Sequence, residues 1–329
     1  MSTTATTRIA EPGPVIEAVA VTKRYGDKVA VDGLSFAVGK GSVLAVLGPN
    51  GAGKTTTIKL LTTLLALDGG RASVAGHDVS REPDAVRRNI GLAGQSAAVD
   101  EKLTVRQNLD LFGRLYHLPG PARRARVDEL IDRFGMREYA NRLAETLSGG
   151  ERRRLDLVAA LIADPPAVFL DEPTTGLDPR GRLAIWNEIR AMRDAGTAVV
   201  LTTQYLEEAD QLADHILIID QGTIVASGSS TELKARLQRD VLEITVADPG
   251  STEAAMEALA PGTALATDER TIHLSVAAAG DSLAALRRVD EAGVELADFQ
   301  LRRPTLDDVF IEITGEPVSA AANDDEVTA

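Results

Sequence analysis

The stretch Gly48-Pro49-Asn50-Gly51-Ala52-Gly53-Lys54-Thr55 constrains this chain more than any other. The apolar run Val43 to Leu47 precedes it, and Ile58, Leu61 and Leu65 follow at helical spacing. A buried strand that feeds a glycine loop and then a helix is the setting of a phosphate-binding loop. Glycines let backbone N–H groups turn inward around phosphate oxygens, and the helix N-terminus favours negative charge there. Lys54 would reach the β- and γ-phosphates of a nucleotide, and the Thr55 hydroxyl would ligate Mg²⁺. A glycine-rich turn that binds nothing is the competing reading, and the strand–loop–helix context argues against it.

Two further motifs bear on the same chemistry. Ala167-Val168-Phe169-Leu170 ends in Asp171-Glu172, a buried strand with carboxylates at its tip. Asp171 suits a Mg²⁺ ligand. Glu172, expected on the opposite side of an extended chain, could orient or deprotonate an attacking water. Leu147-Ser148-Gly149-Gly150-Glu151 opens a helix with Leu155, Val158, Ala159 and Ile162 on one face. Ser148 is a candidate N-cap, and the glycines leave N–H groups open to an anion, although a capped helix that binds nothing has the same pattern.

Around these motifs, strand-like runs alternate with helical ones, which predicts a mostly parallel sheet. Val15 to Val21 and Val29 to Val38 read as an antiparallel pair turning at Tyr25-Gly26-Asp27, and residues 105–163 as a helical insertion. Within that insertion Leu109, Phe112 and Leu115 mark one apolar face. Beyond about Arg239 the pattern becomes strand, helix, strand, helix, strand. The expected organisation is a leader over 1–14, a nucleotide-binding domain over 15–239, an α+β accessory domain over 240–315 and a disordered acidic tail over 316–329.

With 329 residues the chain exceeds one ordinary core. A net charge of −14 argues against a nucleic-acid partner, which depends on neutralising phosphates. There is no cysteine, and the four histidines (His77, His117, His215, His273) show no metal-ligand spacing. Neither a long apolar run nor a secretory leader is evident, so the chain is expected in the cytoplasm.

The phosphate loop, Gln95, Leu147-Ser148-Gly149-Gly150-Glu151, Asp171-Glu172-Pro173 and Gly176-Leu177-Asp178, in that order, resemble the nucleotide-binding domain of ABC transporters. The resemblance spans roughly residues 15–237. It implies a P-loop fold with antiparallel and helical subdomains, binding of ATP with Mg²⁺, and hydrolysis. Tyr25 would stack on adenine, and Thr56 would join the loop's phosphate contacts. Gln95 would contact the Mg²⁺ or water region. Ser148, Gly149 and Gly150 would close over a γ-phosphate bound by the opposite protomer, and Asp178 would lie on the dimer interface. Many members carry a histidine where this chain has Gln204. Gln204 would then serve as the γ-phosphate sensor, with capping of the following helix as its competing role.

Gln204-Tyr205, Glu207-Glu208-Ala209-Asp210 and Arg303-Pro304-Thr305-Leu306-Asp307-Asp308-Val309-Phe310 together resemble the daunorubicin-resistance type of drug-exporting ATPase. The ABC resemblance implies a head-to-tail homodimer, and the subgroup implies that the chain, peripheral on the cytoplasmic face of the membrane, powers export of a drug-like or amphipathic compound through a separate permease. Alternatives are a soluble ABC ATPase acting on nucleic acid or ribosomes, and an exporter of lipid or polysaccharide. For the last segment of the motif a plain amphipathic helix, with Leu306, Val309, Phe310 and Ile313 facing a core, is the simpler account.

Overall fold

The computed structural model describes residues 13–94, 98–237, 239–259, 264–266, 269–277 and 279–314. Gln95, and most of the expected leader and tail, lie outside them. The chain divides into two compact units, 1–227 and 228–329.

In the first unit, β1 (Ile16–Tyr25) and β2 (Lys28–Val38) form an antiparallel pair through a tight turn at Gly26 and Asp27. Gly26 holds a left-handed φ of 58°, which a glycine adopts at no steric cost. β3 (Val43–Leu47) leads through the phosphate loop into α1 (Lys54–Leu61). β4 (Gly69–Val74) and β5 (His77–Asp78) complete a four-stranded sheet in the order β2-β1-β4-β5. After α2 (Pro83–Arg88), β6 (Ile90–Ala93) enters the main sheet.

The helical insertion consists of α3 (Val105–Leu115), α4 (Gly120–Arg133) and α5 (Gly149–Ala160). Leu109, Val127, Leu130 and Ile131 are buried there. Leu115, expected on the same buried face as Leu109, is 64% exposed. It is the last residue of α3, and the following Tyr116 anchors the turn by donating its hydroxyl to the Ile90 carbonyl at 3.0 Å.

β7 (Ala167–Asp171), α6 (Pro179–Asp194), β8 (Ala198–Thr203), α7 (Leu206–Leu212), β9 (His215–Asp220) and β10 (Thr223–Gly228) finish the main sheet. Its order is β10-β9-β3-β8-β7-β6, with the β9–β3, β3–β8, β8–β7 and β7–β6 pairings parallel. Every residue of β3, β7 and β8 is buried, as both faces of a parallel sheet are covered. This is why those strands read as unbroken apolar runs.

The second unit holds α8 (Ser230–Arg236), β11 (Asp240–Val246), α9 (Thr252–Ala258), β12 (Ala264–Ala266), β13 (Thr271–Val276), α10 (Ala279–Glu291), β14 (Leu296–Arg302) and α11 (Leu306–Thr314). Its sheet has the order β12-β13-β11-β14 and is antiparallel. Leu242, Ile244 and Ile272 meet Ala255, Ala285 and Val289 in a separate core. Leu306, Val309 and Phe310 are buried, as the helix spacing predicts. The expected boundary at 239/240 and the observed one at 227/228 differ by α8, which packs on α11. Only Leu233 of α8 is fully buried, so its sequence carries little sign of that allegiance.

Candidate nucleotide-binding and hydrolytic site

Parallel strands place the loops at their carboxyl ends side by side, and ligands of open α/β sheets bind along that edge. Leu47 pairs with Thr203, and Asp171 pairs with Thr202. The phosphate loop after β3, Gln204 after β8 and Glu172 after β7 therefore emerge next to one another.

Two glycines of the loop are fixed by close approach. A Cβ on Gly48 would lie 2.3 Å from the Ile219 carbonyl oxygen, and one on Gly53 would lie 2.5 Å from that of Ala30. Gly53 also takes φ 108°, which presents the backbone of α1 to the loop. The Lys54 ammonium is buried and donates to the carbonyls of Gly48 at 2.8 Å and Pro49 at 3.1 Å. It also pairs with Glu172 Oε1 at 3.7 Å. Burial lowers the Lys54 pKa, and Glu172 and then Asp171 oppose that shift. The two carboxylates thus keep a cation ready in the loop, for which phosphate oxygens are the natural competitors.

The Thr55 hydroxyl donates to Asp171 Oδ1 at 3.1 Å, and Thr202 donates to the same oxygen at 2.5 Å. Hydroxyl and carboxylate oxygens converging at one point form the hard donor set that Mg²⁺ prefers, with positions left for water and phosphate. Thr55 and Asp171 therefore fit the group.

Glu172 departs from the expected extended chain. Its φ is 48°, in the left-handed region, so strand alternation does not decide where its side chain goes. Such a conformation costs of order 1–3 kcal/mol and persists only where the surroundings over-determine it. Here the Glu172 N–H donates to the Thr202 carbonyl and hydroxyl, both at 3.1 Å. On the other side Arg153 donates to the carbonyls of Asp171 and Glu172 at 3.2 Å and of Pro173 at 2.8 Å. The turn brings Glu172 to Lys54, on the same side as Asp171. It was Arg153 that sequence reasoning missed, because it lies in a run of three arginines with nothing to mark which one is buried.

A cavity of about 310 Å³ opens at this edge. Asn50, Gly51, Gly53, Lys54, Thr55 and Thr56 line it from the loop, and Tyr25, Lys28 and Ala30 from the antiparallel sheet, with Glu172 as the far wall. Tyr25 is 48% exposed, and the Lys23 ammonium stands 5.8 Å from its ring. Lys28, a second cation facing the cavity, carries no motif and was not anticipated.

A second cavity, also about 310 Å³, is lined by Gly149, Arg152, Arg153, Thr175, Gly176 and Leu177, and again by Glu172. Ser148 caps α5 in a reciprocal box with Glu151: Glu151 N–H donates to Ser148 Oγ at 3.2 Å and Ser148 N–H to Glu151 Oε2 at 2.8 Å. Added Cβ atoms at Gly149 and Gly150 would meet nothing within 4 Å, so no packing among the described residues requires glycine there. Asp178 caps α6, accepting from the Gly181 N–H at 2.7 Å. Gln204 is half-buried, and it does not cap α7. The N-cap is Tyr205, without a side-chain capping bond, and its N–H donates to the Thr203 hydroxyl at 2.9 Å. A larger cavity of about 400 Å³ belongs to the second unit; no residue of the nucleotide-site motifs lines it, whereas Arg303 and Pro304 of the C-terminal motif do.

Comparison with known proteins agrees with the geometry. Residues 31–175 match the family described as ABC transporter, and residues 228–314 match the C-terminal domain of ATP-binding proteins similar to DrrA1-3. The chain is 52% identical to the daunorubicin resistance ATP-binding protein DrrA3 of Streptomyces coeruleorubidus, over 89% of this chain and 94% of that one. The chain belongs to the ATP-binding subunits of ABC transporters. It is also 46% identical to the daunorubicin/doxorubicin resistance ATP-binding protein DrrA of Streptomyces peucetius, over 93% of this chain and 94% of the relative. Among solved structures it is similar to cbiO1 of Clostridium perfringens, part of the ABC transporter complex cbiONQ. The TM-score is 0.63 and the identity 25%, over 68% of this chain and 92% of that one. As an ABC ATP-binding subunit the chain is an ATPase. Among the described residues no helix is long and apolar enough to cross a membrane.

Proposed function

We propose that this chain is the MgATP-hydrolysing subunit that powers export of a drug-like, amphipathic compound through a separate membrane permease, acting on the cytoplasmic face of the membrane. The observation that carries the hydrolytic half is the meeting of Lys54, Thr55, Asp171 and Glu172 at one strand edge, with Thr55 on Asp171 and Lys54 on Glu172. The drug-export half rests on the relatives named for daunorubicin and doxorubicin resistance.

In this reading the N–H groups of Gly48 and of Asn50 to Thr56 hold the phosphates, Pro49 shapes the loop without donating, and Tyr25 stacks on the base. Lys54 moves from the carbonyls of Gly48 and Pro49 to the β- and γ-phosphate oxygens. Thr55 and Asp171 would hold Mg²⁺, which would neutralise charge on the transferred phosphoryl group, and Gln95, outside the described residues, is the further candidate for contact with the Mg²⁺ or water. Glu172, released from Lys54, orients the attacking water and takes its proton. Gln204, whose amide both donates and accepts, positions water and γ-phosphate. Ser148, Gly149, Gly150 and Asp178 face a second copy of the chain in a head-to-tail dimer, to which the open space beside both glycines is suited.

The test is export from cells carrying this chain with a multi-span permease, followed with a fluorescent anthracycline. Efflux should require both proteins and vanish with Lys54→Ala. Undiminished accumulation despite intact ATP turnover would remove the drug cargo and leave the ATPase.

A further inference from the structure

Glu208 is the charged residue whose position the hydrolytic reading leaves unexplained. It lies in the first turn of α7 and is fully buried. Trp186 of α6 donates its indole N–H to Glu208 Oε1 at 3.1 Å. The hydroxyls of Thr203 and Thr174 lie beside the carboxyl, yet Glu208 Oε2 and Thr174 Oγ1 are both buried without an aligned hydrogen bond. Burial pushes the Glu208 pKa up, against those three neighbours and the Arg153 charge. A protonated Oε2 supplies a donor for an adjacent hydroxyl oxygen, which answers the shortage that a carboxylate would create.

The neighbours are what give Glu208 reach. Thr203 directly precedes Gln204. Thr174 lies between Glu172 and Asp178, in the turn whose other side Arg153 clamps by its carbonyls. Trp186 belongs to the helix that Asp178 caps. One carboxyl thus joins three segments: two carry Gln204 and Glu172 of the proposed γ-phosphate site, and the third is the helix capped by Asp178 at the proposed dimer face. We propose that Glu208 is a positioning residue for ATP hydrolysis: it ties α7 to the Thr174 turn and to α6, and so sets Glu172 and Gln204 at their working separation from the γ-phosphate. The inference rests on the hydrolytic roles proposed above for Glu172 and Gln204.

The experiment measures kcat, KM and ATP affinity on the purified full chain for Glu208→Ala, Glu208→Gln and Thr174→Val. Glu208→Ala should lower kcat about tenfold or more while KM and ATP affinity stay within about twofold, as misplaced reacting groups do. Glu208→Gln keeps the shape, an acceptor for Trp186 and a donor on the other arm, and should recover kcat to within about threefold of wild type. Thr174→Val, similar in shape but lacking the hydroxyl, should repeat the kcat-selective loss, and it decides the matter if Glu208→Ala does not fold. A Glu208→Ala or Thr174→Val protein with wild-type kcat would overturn the proposal. So would a Glu208→Gln protein as impaired as Glu208→Ala, or losses that fall equally on ATP affinity. Turnover insensitive to Glu172→Gln would instead remove the hydrolytic reading beneath it.

Discussion

The two units each bury a cluster of charged groups, and the clusters are built in opposite senses. In the second unit Asp308 accepts from Arg302 Nη1 at 2.6 Å and Nη2 at 3.1 Å, and from the Thr305 N–H at 2.7 Å and hydroxyl at 2.9 Å. His273 bridges it to Glu243. Despite its burial, these donors hold the Asp308 carboxyl well below the usual carboxylate range. In the first unit, burial raises Asp156 and Glu208 and lowers Arg153 and Lys54, and Glu208 Oε2 lacks an aligned partner. In the second unit four donated hydrogen bonds fix Asp308 and lock α11 onto its sheet, although His273 Nδ1 there also lacks an aligned partner. The first cluster, whose groups are shifted towards their neutral forms by burial, surrounds the loops of the proposed nucleotide site. The difference separates a cluster that holds a fold together from one that holds reacting groups ready.

The largest effect that could break this contrast belongs to Lys54. Lys54→Ala removes the only loop cation that reaches the carbonyls of Gly48 and Pro49. Charge-assisted hydrogen bonds of about 1.5–3 kcal/mol each correspond to a loss of ATP affinity of roughly 10–100-fold, read by titration calorimetry. A comparable loss on mutating Asp308 would erase the division between the units.

Asp308→Asn comes next and should leave ATP affinity within about twofold. It strips the charge from a nearly buried pair with Arg302, so the second unit should lose roughly 2–4 kcal/mol in a urea melt. The sign of the pH dependence follows from the depressed carboxyl. The contribution of Asp308 is complete above about pH 4 and is lost as pH falls through the lower folded-state value. The variant should therefore lack the acid limb that wild type shows.

Glu208 gives the smallest effect, and it has the opposite sign. A raised carboxyl keeps its proton in the folded state after the unfolded chain has released one, so stability falls as pH rises from about 4.3 through the folded-state value. Glu208→Gln removes that loss. Its Tm should match wild type near pH 4 and lie about 2–4 °C above it at pH 7. A lower Tm at pH 7 would mean that the ionised form is the stabilising one.

How much of this was legible in the sequence depended on whether the determinant was local. The phosphate loop, Asp171-Glu172 and the Ser148 cap are contiguous in the chain, and their elements are built from a run or period that short windows reveal. The meeting of Thr55 with Asp171 followed only because the loop after β3, which opens α1 in the turn that carries Thr55, and the end of β7 lie along one edge of the parallel sheet. What escaped depended on partners distant in sequence. The left-handed backbone at Glu172 is held by Thr202 and Arg153. Glu208 looks like one of two solvated acids opening a helix, until Trp186 and Thr174 close over it. β12, three residues long, and α8, with a single buried leucine, carry too little pattern to announce themselves.

The central claim is that Glu172 serves the chemical step rather than nucleotide binding, and one paired measurement on Glu172→Gln tests it most directly. Steady-state ATP turnover and ATP affinity are read on the same preparation of the full chain. Turnover should fall at least about 100-fold, as loss of a general base does, with affinity equal to wild type or tighter once the carboxylate opposing phosphate is gone. Turnover within about threefold of wild type, or loss of affinity in proportion to turnover, would contradict the account.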